Sequence, residues 1–528
     1  MFYFIPAWYD ERLTFDDTIN QIKMFQSAEE PIQIIVPNYI TQIEKFLHQQ
    51  DLSSINYWAV FDDIQNTHHV MQRIISFEEL NWPEGAEFVY TPFNIIVLVH
   101  DAMFARIKFG EDAYLSEITY YSGSEVDVEV YFDSRGFVSS IAYYVDGQKA
   151  YTDYLDKGGD WQIREYVETH EIIVNSTHQA RFFKSHYRNM QELIEERLAR
   201  YFSHIDEEEK PRMVVAADSR HNELVLNITT RPETVILSFF EPRNGRKLMI
   251  DNPMHTLSAA SLMVFDTEDL RQQMMTEIGQ KLDYPAIENW ERKLHHLPPY
   301  DARLTLGTSQ QFKNMYVLMM IKDLSEAEIL ELIDFAVDYT IAHKLVYVTM
   351  ACADGFEKSR IEQQIRQKIS EKFGVSVDII ADMIAGDNQV NENAEVEAEN
   401  MISNDEKAAK DLIDRIQAQY FESEDAIIRE LRRTRLIVDL SHQPDIFTQI
   451  AGISSGIPQI NQIESPYVLH KKNGFILSNS RKLTQAMDYY LVGLSHWNEA
   501  LVYSVQQIQK YSNGAIVKQW QDILEGAG

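Results

Sequence analysis

The chain has 528 residues, 81 acidic against 48 basic side chains, a formal net charge of −33 and 45% hydrophobic content. That balance excludes wholesale binding of a phosphate backbone, which needs clustered Lys and Arg, so no nucleic-acid partner is expected; it also disfavours simple adsorption to an anionic membrane. The single cysteine, Cys352, rules out an intrachain disulfide and a zinc site built on several thiolates, and the length calls for two or three domains.

The opening MFYFIPAWYDER has no basic segment followed by a long apolar one, so no secretory signal is expected. No apolar run approaches the roughly 20 residues that span a bilayer, and the expected location is cytoplasmic. Phe2 to Trp8 reads as a strand, Phe15 to Phe25 as a helix and IQIIVP, Ile32 to Pro37, as a second strand. A β-α-β opening predicts a parallel sheet. From about Glu87 the pattern changes: VDVEVYF alternates, Asp133-Ser134-Arg135-Gly136 supplies a turn, FVSSIAYYV returns, and Asp146-Gly147 and Gly158-Gly159 mark two more turns. Alternation broken by such turns predicts an antiparallel meander.

A helix is predicted over His178 to Phe202, followed by the apolar strands MVVAA, VILSFF (Val235 to Phe240) and LMVF (Leu262 to Phe265). In the second half MYVLMMI, LVYVTM, VSVDII and RLIVDL alternate with helical patterns, the first of which opens on a Ser325/Glu328 capping box. Continuous apolar strands alternating with helices predict a doubly wound sheet covered on both faces. The acidic stretch 386–406 contains no Lys or Arg and reads as a solvated loop. Near the end Leu501, Val505 and Ile508 share one helical face, and Trp520 and Leu524 another. The predicted organisation is an α/β protein. Its first Rossmann-like domain comprises 1–80 and 171–295, interrupted by an antiparallel β insertion over 81–170. A second Rossmann-like domain covers 296–505, and a C-terminal helix over 506–528 crosses back to the first.

Few motifs carry chemistry. Gly452 to Gly456, GISSG, fits the nucleophile-elbow pattern, but Ser454 falls at the end of a helix capped by Asp445, with Gly456 as its C′ residue. His68-His69 and His295-His296 are adjacent pairs and not the i, i+4 pairs that share a helix face, so no metal site is expected. No Walker A and no G-x-G-x-x-G sequence occurs. Asp218, Ser219, Arg220 and His221 follow a strand, where open α/β sheets collect ligands; loop capping and salt bridging are the favoured reading of them. Trp8 and Tyr9, at the end of the first strand, could stack on a sugar or pack in a core.

Two Rossmann-like halves with a helical end resemble the GT-B glycosyltransferase architecture. In that family acids hold the nucleotide sugar, and cations face the departing diphosphate, whose negative charge grows during transfer. Laid on this chain, the family's Glu-x7-Glu segment places Gln443 and Ala451 at its ends, within SHQPDIFTQIAGISSGIPQI. Lys322-Asp323 follows the first strand of the second domain, without an Arg and Lys pair, and no glycine-rich loop follows the first N-terminal strand. These residues together predict a degenerate cleft and no nucleotide cofactor.

A closer resemblance covers nearly the whole chain. FYFIPAWYDERLTFDDTINQIKMF, PYDARLTLGTSQQFK, IPQINQIESPYVLHKKNGFIL and HWNEAL are similar to the Asp-one family of the bacterial accessory Sec system, found in streptococci and staphylococci. FDSRGFVSSIAYYVDGQKAYTDYLDKGGDW fits that family's β insertion. The resemblance implies a non-catalytic role in the cytosol with two partners, Asp-two and Asp-three. Together these bring glycosylated serine-rich-repeat adhesin to the accessory SecA ATPase, and any membrane contact is peripheral, through partners. The alternative is an active glycosyltransferase that adds hexose or N-acetylhexosamine to Ser/Thr-rich adhesin.

Overall fold

A computed structural model describes residues 1–9, 16–68, 73–110, 113–205, 211–244, 254–282, 284–379, 403–421 and 423–526. The chain divides into two compact units, Met1–Pro299 with Gln519–Gly528, and Tyr300–Lys518. Among the described residues it forms sheets of seven, ten and six strands.

In the first unit, β1 (Phe2–Ile5), β2 (Ile32–Val36) and β3 (Tyr57–Ala59) pair in parallel. All four residues of β1 are buried, as expected for a strand covered on both faces. Asp16 caps the intervening helix, Asp17–Ser27, by accepting from the Ile19 amide. The chain then leaves this sheet and builds the ten-stranded antiparallel one from β4 (Ala86–Tyr90), β5 (Ile95–Val99), β6 (Ala102–Phe109), β7 (Leu115–Ser122), β8 (Glu125–Asp133), β9 (Phe137–Val145), β10 (Gln148–Leu155), β11 (Trp161–Tyr166), β12 (Ile172–Val174) and β13 (His186–Tyr187), in simple meander order. Asp146 and Gly147 both have positive φ, 52° and 72°, the requirement of a two-residue hairpin turn. The chain then returns to the parallel sheet as β14 (Arg212–Ala216), β15 (Val235–Phe239), β16 (Leu262–Phe265) and β17 (Leu294–His296). The order is β17-β16-β15-β14-β1-β2-β3.

The antiparallel sheet has two cores. Its later strands give Tyr154, Ile163, Ile172 and Val174 to the cluster that also holds Tyr3, Ile35 and Val215 of the parallel sheet. Its earlier strands bury Val97, Ile107, Ile118 and Phe132 in a cluster of their own. The turn between β8 and β9 fastens the insertion to the parallel domain. Arg135, buried there, donates to both oxygens of Asp62 at 2.9 and 2.7 Å and to both oxygens of Asp133 at 2.8 Å. Asp62 lies on the helix Val60–Gln65 that follows β3, so one guanidinium spans the insertion and the parent fold. Gln65 adds amide bonds to the carbonyls of Ser139 and Leu155, each 2.7 Å. Gly136 has φ +88°, and a Cβ there would lie 1.7 Å from the Arg73 carbonyl oxygen, so only glycine closes the turn.

In the second unit β18 (Met315–Met320), β19 (Val346–Cys352), β20 (Ile416–Tyr420), β21 (Thr434–Asp439), β22 (Gln459–Asn461) and β23 (Gly474–Ile476) are all parallel, in the order β20-β19-β18-β21-β22-β23. This is the Rossmann order. The Ser325/Glu328 capping box opens the helix Glu326–Ala342, and Ile329, Leu332, Ile333 and Ala336 are buried on it.

Several expected elements differ. Residues 178–189 are not helical throughout: a single turn, Gln179–Arg181, and the short β13 precede a helix over Met190–Ile205. VSVDII is not a strand. Val377 to Ile379 are helical and the two side chains are exposed, which a central strand would not allow. Its place in the sheet goes to Ile416–Tyr420, an edge strand whose sequence IQAQY has no apolar run. The Phe15 helix start and His69 lie outside the described residues, as do 386–402 of the acidic stretch; Ser403 caps a helix, Asn404–Arg415, with Glu406 completing the box. On the helix Leu494–Lys510 the buried face is Trp497, Ala500 and Ser504, while Val505 is exposed, because the Trp497 indole reaches the Arg435 carbonyl at 2.9 Å.

Replacing Arg135 with Met would leave two carboxylates buried without their cation. Removing one partner of a buried ion pair costs about 3–5 kcal/mol, to be read from the urea-unfolding midpoint of the Arg135→Met variant. Adding Asp62→Asn and Asp133→Asn should recover much of the loss. A single-variant loss near the ~1 kcal/mol of a surface pair would contradict the role given to Arg135.

Candidate functional site

In an open parallel sheet, ligands gather outside the carboxyl ends of the strands where the strand order reverses. The reversal in the first unit lies between β1 and β14, and in the second between β18 and β21. The residues singled out in the sequence fall at these two places. Trp8 and Tyr9 follow β1, and Asp218, Arg220 and His221 follow β14; Lys322 follows β18, and Gln443 follows β21.

The first unit brings four of them together. The Tyr9 hydroxyl lies 2.9 Å from His221 Nδ1, and His221 Nε2 lies 2.7 Å from the Ala216 carbonyl oxygen. A carbonyl only accepts, so Nε2 carries the proton and Nδ1 accepts from tyrosine. Arg220 holds Asp218 with two bonds of 2.8 and 2.6 Å and lies 4.1 Å over the Tyr9 ring. Burial lowers the His221 pKa to about 4, outweighing its bond to Ala216 and the charge of Asp218. Burial, then the charge of Asp218, raises the Tyr9 hydroxyl above its ordinary value. Burial alone would raise Asp218, but the Arg220 bonds reverse this and hold it below the usual carboxylate value. The cluster is therefore a neutral Tyr-His pair beside a closed ion pair.

Trp8 does not join that cluster. Its indole donates to Asp16 at 3.1 Å and packs edge-on against Phe46, 5.0 Å between centroids, and the residue is buried. Behind it lies a polar layer that the sequence reading missed. Arg243 donates to Asp17 at 2.8 Å and to the Ser238 carbonyl at 3.0 Å, and Gln21 donates to the Ser238 hydroxyl at 2.8 Å. Asp266, buried and accepting from the Glu241 amide, is raised to about 8 by burial. Asp16 is raised to about 7 by burial and then by Asp17. The available signal was position: Glu241-Pro242-Arg243 and Asp266-Thr267 each follow the carboxyl end of an apolar strand.

In the second unit Lys322 and Gln443 are exposed. Ala451 sits inside the helix Ile446–Ser455 and packs with Leu318, Met320 and Ile437, so a carboxylate at 451 would face apolar side chains. The buried acid of this switch point is Asp439, at the end of β21. It accepts from the Ser441 hydroxyl at 2.6 Å, the Ser441 amide at 3.1 Å and the Asp445 amide at 2.9 Å. Burial raises it to about 6 against those bonds. Ser454 is in the last turn of the helix, where its hydroxyl donates to the Ile450 carbonyl at 2.9 Å, and Gly456 ends the helix at φ +70°. That geometry is a helix terminus and not a nucleophile elbow. His295 and His296 meet the carbonyls of Arg292 and Asp266. Asp156, Asp160 and His178 converge within 4.8 Å, where Asp156 already accepts from the amides of Gly158 and Asp160.

Two parallel sheets of Rossmann type, an antiparallel insertion in the first unit and C-terminal helices define the class: a GT-B glycosyltransferase-like fold. The chain has a TM-score of 0.67 to the pneumococcal O-GlcNAc transferase GtfA, in complex with UDP and GlcNAc, over 100% of this chain and 98% of that one, at 10% identity; at that identity the likeness concerns the fold alone. Within the class the chain belongs to the accessory Sec system protein Asp-one family, which it matches over residues 1–527. It is 35% identical over 552 residues to the accessory Sec system protein Asp-one of Streptococcus gordonii, covering 100% of this chain and 99% of that protein. It is also similar to a chain in the crystal structure of accessory secretory protein 1, 2 and 3 in Streptococcus pneumoniae, with a TM-score of 0.76 and 28% identity over 100% of this chain and 99% of that chain. Among the described residues no helix is long and apolar enough to cross a membrane.

The buried His221 gives the site a pH signature. The unfolded chain takes up a proton near 6.5 and the folded residue only near 4, so the stability it contributes is complete above pH 6.5. That contribution falls as pH drops toward 4, by about 3 kcal/mol in total. His221→Gln should flatten this part of the stability–pH curve, measured by urea unfolding between pH 7 and 4 at about half-unit steps. An unchanged slope would contradict the burial of a neutral imidazole.

Proposed function

We propose that the chain is a non-catalytic component of the accessory Sec system. It acts in the cytoplasm with Asp-two and Asp-three and delivers glycosylated serine-rich-repeat adhesin to the accessory SecA ATPase. The observation that carries this reading is full-length membership of the Asp-one family, whose solved pneumococcal relative is described together with accessory secretory proteins 2 and 3.

The site chemistry supports the same reading. A sugar-nucleotide transferase needs fixed cations facing the departing diphosphate. Arg220 here forks onto Asp218, and Arg243 onto Asp17. The exposed Lys322 stands beside Asp323 in a turn of positive φ, 61°. The segment that would supply donor-binding acids offers Gln443 and Ala451, while its buried acid, Asp439, is held by its own loop. Exposed aromatic residues at the free edge of the antiparallel sheet, Tyr90 and Phe93, suit a protein whose work is association.

The test is affinity purification of the tagged chain from cells that also make Asp-two and Asp-three. Both should co-elute at fixed proportion and persist through gel filtration. A monodisperse chain that leaves both partners behind would overturn the proposal.

A further inference from the structure

The two faces of the antiparallel sheet differ in what covers them. One packs on the parallel domain, to whose core it gives Tyr154, Ile163 and Ile172. On the other, Trp82 covers the earlier strands, its ring 5.6 Å from that of Phe88 and 6.1 Å from that of Tyr120. Further along this second face two rows of side chains run across the strands. Val128, Tyr143, Tyr151 and Tyr166 are cross-strand neighbours in one row, and Val130, Ile141, Asp153, Arg164 and Ile173 in the next. Apart from Asp153, each of these residues is half-buried or exposed. An antiparallel sheet with one wet face ordinarily turns polar side chains to water; here the wet face is aromatic and aliphatic. Tyr143 and Tyr151 stack at 4.7 Å between centroids, and Tyr151 and Tyr166 lie 5.9 Å apart. Such cross-strand pairs stabilise a sheet, yet they leave the aliphatic row beside them open to solvent.

Charge narrows the occupant. Asp153 and Arg164 are the charged members of the two rows, and they cancel: Arg164 donates to both Asp153 oxygens, at 2.7 and 2.9 Å. The turns at one end of the face are acidic. Glu125, Asp146 and Glu168 are exposed there, with Lys149 as the cation beside them. A Cβ on Gly147 would lie 3.6 Å from the Glu125 carboxyl carbon, and the Val167 amide donates to the Ala150 carbonyl at 3.0 Å, so the three turns are neighbours. Val145 and Val167 are exposed among these acids. An anionic lipid surface would meet the acids. A second copy would bring the same acids in a chain of net charge −33. A sugar needs an open ring face, whereas Tyr151 is stacked on Tyr143 and has the Arg164 guanidinium 4.2 Å over it. The complement of an uncharged aromatic face with an acidic border is an apolar protein patch bordered by Lys and Arg. Tyrosine and arginine are the residues that carry most of the energy in such contacts.

We propose that this face of β8–β12 docks a partner protein through an apolar patch bordered by basic residues, with Tyr151 and Tyr166 as the anchors and Glu125, Asp146 and Glu168 as the charged border. The inference rests on the export reading, in that the occupant is sought among the proteins this chain works with. It adds the face used and the chemistry of the surface that meets it.

The test places the photo-crosslinking residue benzoylphenylalanine at Tyr151 of the intact chain, in cells that also make Asp-two and Asp-three. A crosslink to one of these two proteins is expected. Tyr151→Ala and Tyr166→Ala should each weaken binding of the purified partners about tenfold or more, the size of a lost aromatic anchor. Glu125→Lys combined with Glu168→Lys should also weaken binding and flatten its dependence on salt. The urea-unfolding midpoint identifies the variants that keep the fold; where a tyrosine variant lowers it, the crosslink decides. Partners bound as tightly by the folded tyrosine variants, with no crosslink from the Tyr151 position, would overturn the surface and leave the export reading in place. A crosslink to a second copy of the chain would overturn the assigned occupant. An unsubstituted chain that binds neither partner would remove the export reading and this inference with it.

Discussion

The placement of the antiparallel sheet depends on one guanidinium. Arg135 sits in a turn of the insertion between Asp133, its near neighbour in sequence, and Asp62, on a helix of the parallel domain. Taking three charges out of water is costly, and a buried pair is weak evidence of net stability. Its effect is on register: four short bonds to two carboxylates fix the angle of the planar fork. Apolar contacts along the later strands can slide, while this fork fits only one position of the turn. Gly136 belongs to the same constraint, since the turn presses against the Arg73 carbonyl where no side chain fits.

The two switch points share one feature, in that several of their polar side chains bond to one another or to their own loop. Catalytic sites keep polar groups preorganised toward a charge that has yet to develop. In the first unit the groups face each other: tyrosine donates to histidine, histidine to a backbone carbonyl, and arginine to aspartate. In the second, Asp439 takes three donors from its own loop. The Tyr9–His221 pair, the Arg220–Asp218 pair and Asp439 thus find their partners within the fold.

Much of this was legible in sequence because it depends on local pattern. Parallel strands buried on both faces show as unbroken apolar runs, and FYFI, VILSF, MYVLMM and RLIVD were read for that reason. The meander announced itself through Asp146-Gly147, whose positive φ values few other pairs tolerate. Ser325, Asp445 and Gly456 were legible as helix caps because a cap needs a particular side chain at a particular place. Long-range chemistry was not legible. The Asp133 to Gly136 turn could be read, but nothing in it says that Arg135 reaches 73 residues back to Asp62. Whether Trp8 stacks on a sugar or packs in a core could not be read from the sequence, because its contacts with Phe46 and Asp16 are not local in pattern. Edge strands such as IQAQY lack the apolar run that marks a central strand, since half of their surface meets solvent.

We propose that this glycosyltransferase-shaped body does not hold a sugar nucleotide at its second switch point. The most direct measurement is calorimetric titration of the intact chain with uridine diphosphate at millimolar concentration. The account expects no saturable heat, and the same flat trace for the Lys322→Ala variant. Saturable binding that Lys322→Ala weakens would contradict it and return the chain to the enzymes.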